Sequence, residues 1–283
     1  MEIQRLKSAK QRTKKLIEFK PQVQRVKTTL MPHHHQLLRN LNLLQLNEIN
    51  EKITPDLMEV FITTYGKNWK TLLQLVCDIN LHRAIHLERK NQWLWFKQNA
   101  GSNGNPQVVE KFLFNNQINF KFFTQCVKEV LELSHKKINA LYFHGVPNSG
   151  KTMLANLIIK VFNARSILKN GDSVSSFYYE PIINSSIVLI EEPFIIPINL
   201  EDMKILLGAG ELQVNVKYQP LQRTVRIPYL ITSNFPLLSR GYASSVSEKA
   251  IKTRVHMFKF NYTFKSKTVI TSADLLAFFN KHE

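Results

Sequence analysis

Apolar residues return every three or four positions from Leu37 to Phe96 (Leu37, Leu38, Leu41, Leu44; Leu57, Val60, Phe61; Trp69, Leu72, Leu73, Val76), with breaks near Pro55 and Gly66. That spacing predicts several helices, each with one face turned to a core. Two further amphipathic helices are predicted over Val108 to Leu113 and Phe120 to Leu133. The pattern then changes. Ala140–Phe143, Ser186–Ile190 and Tyr229–Thr232 are short, unalternating runs of the kind a strand buried on both faces shows, and Met153 to Phe162 regains helical spacing. Strands separated by helical stretches predict an α/β fold with an open, mostly parallel sheet, whose ligands bind at the carboxyl ends of the strands. Between Ala100 and Pro106 nothing is apolar after Ala100, and two glycines and a proline mark 101–106 as a linker. The chain is thus divided into a tail over 1–30, a small helical domain over 31–100, the linker, and an α/β domain over 107–283.

Each of the three strand runs ends in a polar cluster. The first leads into Gly145-Val146-Pro147-Asn148-Ser149-Gly150-Lys151-Thr152, a complete G-x-x-x-x-G-K-[ST] loop between a strand and a helix. Such a loop aims backbone N–H groups at a polyphosphate over a helix N-terminus. Lys151 is placed to reach the β- and γ-phosphates and Thr152 to ligate Mg²⁺. The second run ends in Glu191-Glu192. An acidic pair there serves nucleotide hydrolysis, with Glu191 holding Mg²⁺ through water and Glu192 polarising the attacking water. The third ends in Ser233-Asn234, which puts Asn234 within reach of the γ-phosphate or that water. ATP and Mg²⁺ are the expected ligands.

Charge points to a polyanionic partner, with nucleic acid the first candidate and an acidic membrane surface the second. Thirty-eight Lys and Arg against twenty-one Asp and Glu leave the 283 residues at a formal +17. Nine basic residues fall between Met1 and Lys27, against only Glu2 and Glu18, so 1–30 reads as a basic, solvated tail. No apolar run approaches the roughly 18 residues of a membrane span, and the start lacks a signal-peptide core, so an intracellular protein with no membrane partner is expected. Cys77 and Cys126 stand in unrelated contexts, which suggests neither a disulfide nor a cysteine metal site.

Between the second and third strands, alternation at Leu212, Val214 and Val216 after Gly208 and Gly210 predicts a β-hairpin with Lys217 towards its tip. The order of phosphate loop, acidic pair, Lys204-x-x-x-Gly208 hairpin motif ending in Lys217, and a strand closing on Thr232-Ser233-Asn234 resembles the superfamily 3 helicases of small DNA viruses. In particular it is similar to parvovirus non-structural replication proteins, over roughly Val108 to Tyr262. Lys137-Ile138-Asn139-Ala140 resembles the family's lead into the loop, and Arg254 falls where the family has its arginine finger. The resemblance implies an AAA+-like ATPase that unwinds single-stranded or forked DNA in the host nucleus, as a homo-oligomeric, hexameric ring. It also implies that Lys204 and Lys217 contact nucleic acid, that Arg254 serves a neighbouring subunit's site with Arg240 or Arg223 next in line, and that the helical segment forms an assembly collar.

The sequence departs from the family at Ala209, where a second glycine is usual, and at Gln219, where relatives carry another base. The family's nickase domain is not expected here. His33-His34-His35 reads as an exposed cluster, His82 and His86 share a helix face without a third ligand, and Tyr65 reads as a packed helix residue. The alternatives are a superfamily 3 ATPase of RNA-virus type, or an endogenised or incomplete viral protein that binds nucleotide and nucleic acid without unwinding. A GTPase is weaker, since only Asn280-Lys281-His282-Glu283 resembles a guanine-specificity motif.

Overall fold

Polar caps fix where the first helices begin. Thr54 accepts from Leu57 N–H ahead of α1 (Pro55–Tyr65), and Asn91, Asn105 and Asn119 do the same for α3 (Gln92–Asn99), α4 (Pro106–Asn115) and α5 (Phe120–Glu132). Between α1 and α3 runs the long α2 (Trp69–Lys90). The computed structural model describes residues 43–167, 175–236, 245–264 and 269–283, so the 1–30 tail, His33-His34-His35 and Arg240 lie outside the described residues.

Five strands form one parallel sheet: β1 (Ala140–Gly145), β2 (Ala164–Ile167), β3 (Ile187–Glu191), β6 (Tyr229–Ser233) and β7 (Val255–Phe260). A small hairpin of β4 (Gln213–Val214) and β5 (Gln222–Arg223) stands apart from it. The sheet order is β2-β3-β6-β1-β7. Helices fill the crossovers from β1 to β2, from β3 to β6 and from β6 to β7: α6 (Lys151–Ile159), α7 (Pro197–Leu207) and α8 (Ser245–Lys252), with α9 (Ser272–His282) closing the chain. Alternation along β1 sorts its residues between two cores. Leu141 and Phe143 join Phe123, Leu154, Ile158 and Phe279 on one face, while Ala140 and Tyr142 join Met203, Leu206, Ile231 and Ile251 on the other.

The expected division of the chain at 101–106 changes. The 101–106 stretch does not divide the described chain, because Leu43–Glu283 forms a single compact unit. Gly104 lies so close to α9 that a Cβ there would sit 2.0 Å from the Ala273 carbonyl oxygen, and Asn105 N–H donates to Asp274 at 2.6 Å. The helical segment is tied to the sheet as well. The buried Glu88 carboxylate accepts from Asn163 N–H at 2.8 Å and from the Ser186 hydroxyl, while Gln92 donates to the Ser186 carbonyl. Burial pushes the Glu88 carboxyl above the usual range, opposed by these bonds. Lys281 and His282 engage Glu110 on α4, and Glu283 engages Lys97 on α3 and Lys128 on α5, so the Asn280–Glu283 tetrapeptide ties α9 to three helices.

The hairpin motif's start is a helix end. Lys204 lies in α7, and α7 stops through Ala209, which takes φ +67° while Gly210 N–H donates to Ile205 O at 2.8 Å. An L side chain in that region carries a cost that glycine escapes, so Ala209→Gly is expected to raise stability by roughly 1 kcal/mol. Urea unfolding reads this as a higher midpoint at unchanged slope. A lowered midpoint would mean that the Ala209 methyl contributes packing larger than the backbone cost.

Candidate nucleotide site

The loop after β1 owes its shape to two close approaches. Gly145 takes φ +141°, and a Cβ there would lie 2.0 Å from the Phe260 carbonyl oxygen of β7, which instead accepts from Val146 N–H at 2.9 Å. Gly150 takes φ +85° under the Phe112 ring, 2.8 Å from where a Cβ would stand. Residues beyond β7 close the brace: Phe264 N–H donates to Asn148 O at 2.8 Å, and its ring meets Phe112 at 5.2 Å. No side chain caps the first turn of α6, which leaves its N–H groups for an anion.

Lys151 is 6% exposed. Its Nζ donates to Gly145 O at 3.1 Å, Val146 O at 2.6 Å, Ser149 Oγ at 3.1 Å and Asn234 Oδ1 at 3.2 Å. Burial pulls its pKa below the usual lysine range, and the Glu192 carboxylate opposes that pull. Glu192 lies just past β3 with φ +47°, its N–H donating to Thr232 O at 2.8 Å. One carboxylate oxygen accepts from Ser233 Oγ at 3.0 Å and the other from Asn234 N–H at 2.8 Å. The resulting cleft of about 340 Å³ is lined by Pro147 to Met153, Glu191, Glu192, and Thr232 to Asn234. All three polar strand ends therefore meet in one place.

Arg254 does not join them. Parallel register sets Val255 opposite Ala140 and Phe260 opposite Gly145, so Arg254 lies at the amino edge of the sheet, roughly 20 Å from the loop of its own chain. Its Nε donates to Lys204 O at 3.0 Å and its Nη1 to Ala250 O, binding the end of α7 to α8. Lys204 pairs with Glu201 at 2.6 Å on α7 rather than reaching the hairpin. Arg223 is exposed beside Glu211 at 3.4 Å.

Lys217 stands in the turn between β4 and β5, exposed, with Nζ over the Phe177 ring at 5.7 Å and its N–H donating to Glu180 at 3.3 Å. Beside it Tyr218 is fully exposed at φ +60°. Sequence reasoning missed both aromatics: Tyr218 had adjacency to Lys217 as a signal, whereas Phe177 had none. Tyr65 ends α1 with its ring 5.5 Å from Phe61. Among the described residues no group of three His, Cys, Asp or Glu side chains is arranged to hold a metal, and no helix is long and apolar enough to cross a membrane.

A family model described as papillomavirus helicase matches residues 76–278. The chain is similar to the initiator protein NS1 of Aedes albopictus densovirus (isolate Boublik/1994), 26% identical over 153 residues, which are 54% of this chain and 19% of that protein. It is similar to replication protein E1 of Human papillomavirus 51, 28% identical over 175 residues, 61% of this chain and 26% of that one. A JCV helicase crystal structure aligns with TM-score 0.48 at 16% identity, covering 80% of this chain and 72% of that chain. The chain spans about a fifth of the densovirus relatives it matches and less than a third of the papillomavirus ones.

The Arg254 geometry gives a separable expectation. Arg254→Ala should lower stability by roughly 2–3 kcal/mol, the range of charge-assisted hydrogen bonds left unmade, without altering nucleotide affinity per folded molecule. Thermal unfolding with nucleotide titration checks it. A variant as stable as wild type that binds ATP yet cannot hydrolyse it would instead support the expected role of Arg254 as a cation acting on a neighbour's site.

Proposed function

Because the chain belongs to the papillomavirus helicase family, we propose that it is the ATP-hydrolysing motor of a viral DNA-replication helicase. The observation that carries this reading is the meeting of Lys151, Glu192 and Asn234 at the mouth of the phosphate loop. The uncapped first turn of α6 and the glycines pressed by β7 and Phe112 fit a polyphosphate. The oxygens of Thr152 and Glu191, both lining the cleft, fit Mg²⁺. When bound, that ion would neutralise charge on the transferring phosphoryl group. Lys151 exchanges loop carbonyls for β- and γ-phosphate oxygens. Glu192 orients and polarises the attacking water, and Asn234 reports the γ-phosphate to the loop lysine.

Coupling to nucleic acid falls to the hairpin. Lys217 offers a cation for a backbone phosphate and Tyr218 an exposed ring for a base, the pairing that sequence-independent single-strand binding uses. A homo-oligomeric ring around single-stranded or forked DNA, working in the host nucleus, completes the proposal. The net charge of +17 supports the polyanionic partner.

Lys151→Ala is expected to abolish ATP hydrolysis, and Glu192→Gln to bind ATP yet hydrolyse it at least about a hundredfold more slowly. Wild-type turnover by a folded Lys151→Ala protein would remove the nucleotide assignment. Glu191→Gln trapping ATP while Glu192→Gln loses Mg²⁺ binding would exchange the two glutamates' roles.

For the hairpin, Lys217→Ala should weaken single-strand binding evenly across sequences and reduce the salt slope by about 1. Tyr218→Ala should cost about 1–3 kcal/mol of binding with the slope unchanged. Fluorescence anisotropy on DNA and RNA strands of equal length measures both. Equal salt slopes for wild type and Lys217→Ala would leave the hairpin a structural element.

A further inference from the structure

Tyr142 belongs to none of the sequence motifs. It is the third residue of β1, fully buried, at a place where an aliphatic side chain would fill a parallel sheet equally well. Burying a phenol is costly unless its hydroxyl is bonded, and this one donates to the Phe235 carbonyl at 2.8 Å. Phe235 N–H in turn donates to Ser233 Oγ at 3.1 Å, and that hydroxyl donates to Glu192. The turn that follows β6 is thereby pinned from below by Tyr142 and across its mouth by Ser233. Its middle residue, Asn234, gives its N–H to Glu192 and its side-chain oxygen to Lys151.

We propose that Tyr142 and Ser233 are positioning residues of the ATPase site, holding the Ser233–Phe235 turn so that Glu192 and Asn234 are presented to the reacting phosphate. The inference rests on the ATPase reading above. Glu192 needs such holding, because φ +47° is a region that a glutamate leaves unless its surroundings keep it there. Released from Ser233 and Asn234, it would relax towards ordinary backbone angles and carry its carboxylate off the water's line. The phenol remains a donor throughout the working pH range, since burial first, and the Glu192 charge in addition, push it up to about 12 against the opposing Ser233 hydroxyl.

Steady-state ATPase of the full chain tests this, using Tyr142→Phe, Ser233→Ala, Glu192→Gln and the double variant Tyr142→Phe/Glu192→Gln. Tyr142→Phe and Ser233→Ala should each lower kcat about tenfold, with the KM for ATP kept within about twofold. In the Glu192→Gln background, Tyr142→Phe should lower kcat by clearly less than tenfold, because part of its influence passes through that carboxylate and only the part through Asn234 is left. A role in packing alone predicts instead a lower unfolding midpoint with kcat per folded molecule unchanged, which overturns the proposal. So does a loss in the double variant equal to the product of the two single losses. If one single variant does not fold, the other carries the same comparison. A wild-type chain without ATPase would overturn the functional reading itself, an outcome distinct from either.

Discussion

A lysine ammonium almost closed off from water, ringed by four oxygens, is the contact from which the cleft follows. A buried cation is tolerated only where its N–H groups find acceptors, and Lys151 finds two in the loop's own backbone. Those carbonyls are available because Gly145 adopts an angle other residues avoid, with β7 pressed against its Cα. The third acceptor, Ser149, comes from the loop, and the fourth, Asn234, from a different strand. The sheet order makes that fourth contact possible. With β6 between β1 and β3, its polar end stands between the loop lysine and the acidic pair and can touch both.

The same arrangement explains why so many polar groups stand at the edge of two apolar cores. Each is satisfied by a neighbour from the next strand: Lys151 by Asn234, Asn234 and Ser233 by Glu192, and Phe235 by Tyr142. Such a network is stable when complete and costly when broken, so a change at one strand end is transmitted to the other two. The unusual backbone at Glu192 is tolerated for the same reason, since three hydrogen bonds to β6 and the turn after it fix the residue on its backbone and both carboxylate oxygens.

Sequence reading succeeded where chemistry and structure were local. The phosphate loop, the three strand runs that end in it, in Glu191-Glu192 and in Ser233-Asn234, and the helices over α4 and α5 were all legible, because each is specified by a short stretch. What depended on distant packing was not. β2, β7 and α9 gave weaker periodic signals than the contacts that fix them. Gly101–Asn105 lacks regular structure as expected, with Pro106 already opening α4, but composition cannot say that Ala273 covers Gly104. Phe177 could be connected to Lys217 only after the chain had folded.

The hairpin motif shows how one sequence pattern can hold unlike physical causes. Lys204 and Lys217 enter it as equivalent bases, yet Lys204 is half-buried and paired one helical turn away with Glu201, while Lys217 lies exposed over an aromatic ring. Gly208, between them, is required by neither. A Cβ at that position would meet the Arg254 Nε at 2.7 Å, so the glycine makes room for the guanidinium that ties α7 to α8. Arg254 and Gly208 are therefore two halves of one packing contact at the edge of the sheet opposite the cleft. Their places in the chain follow from how α7 ends and β7 begins, and of the two bases in the motif it is Lys217 that the fold leaves exposed.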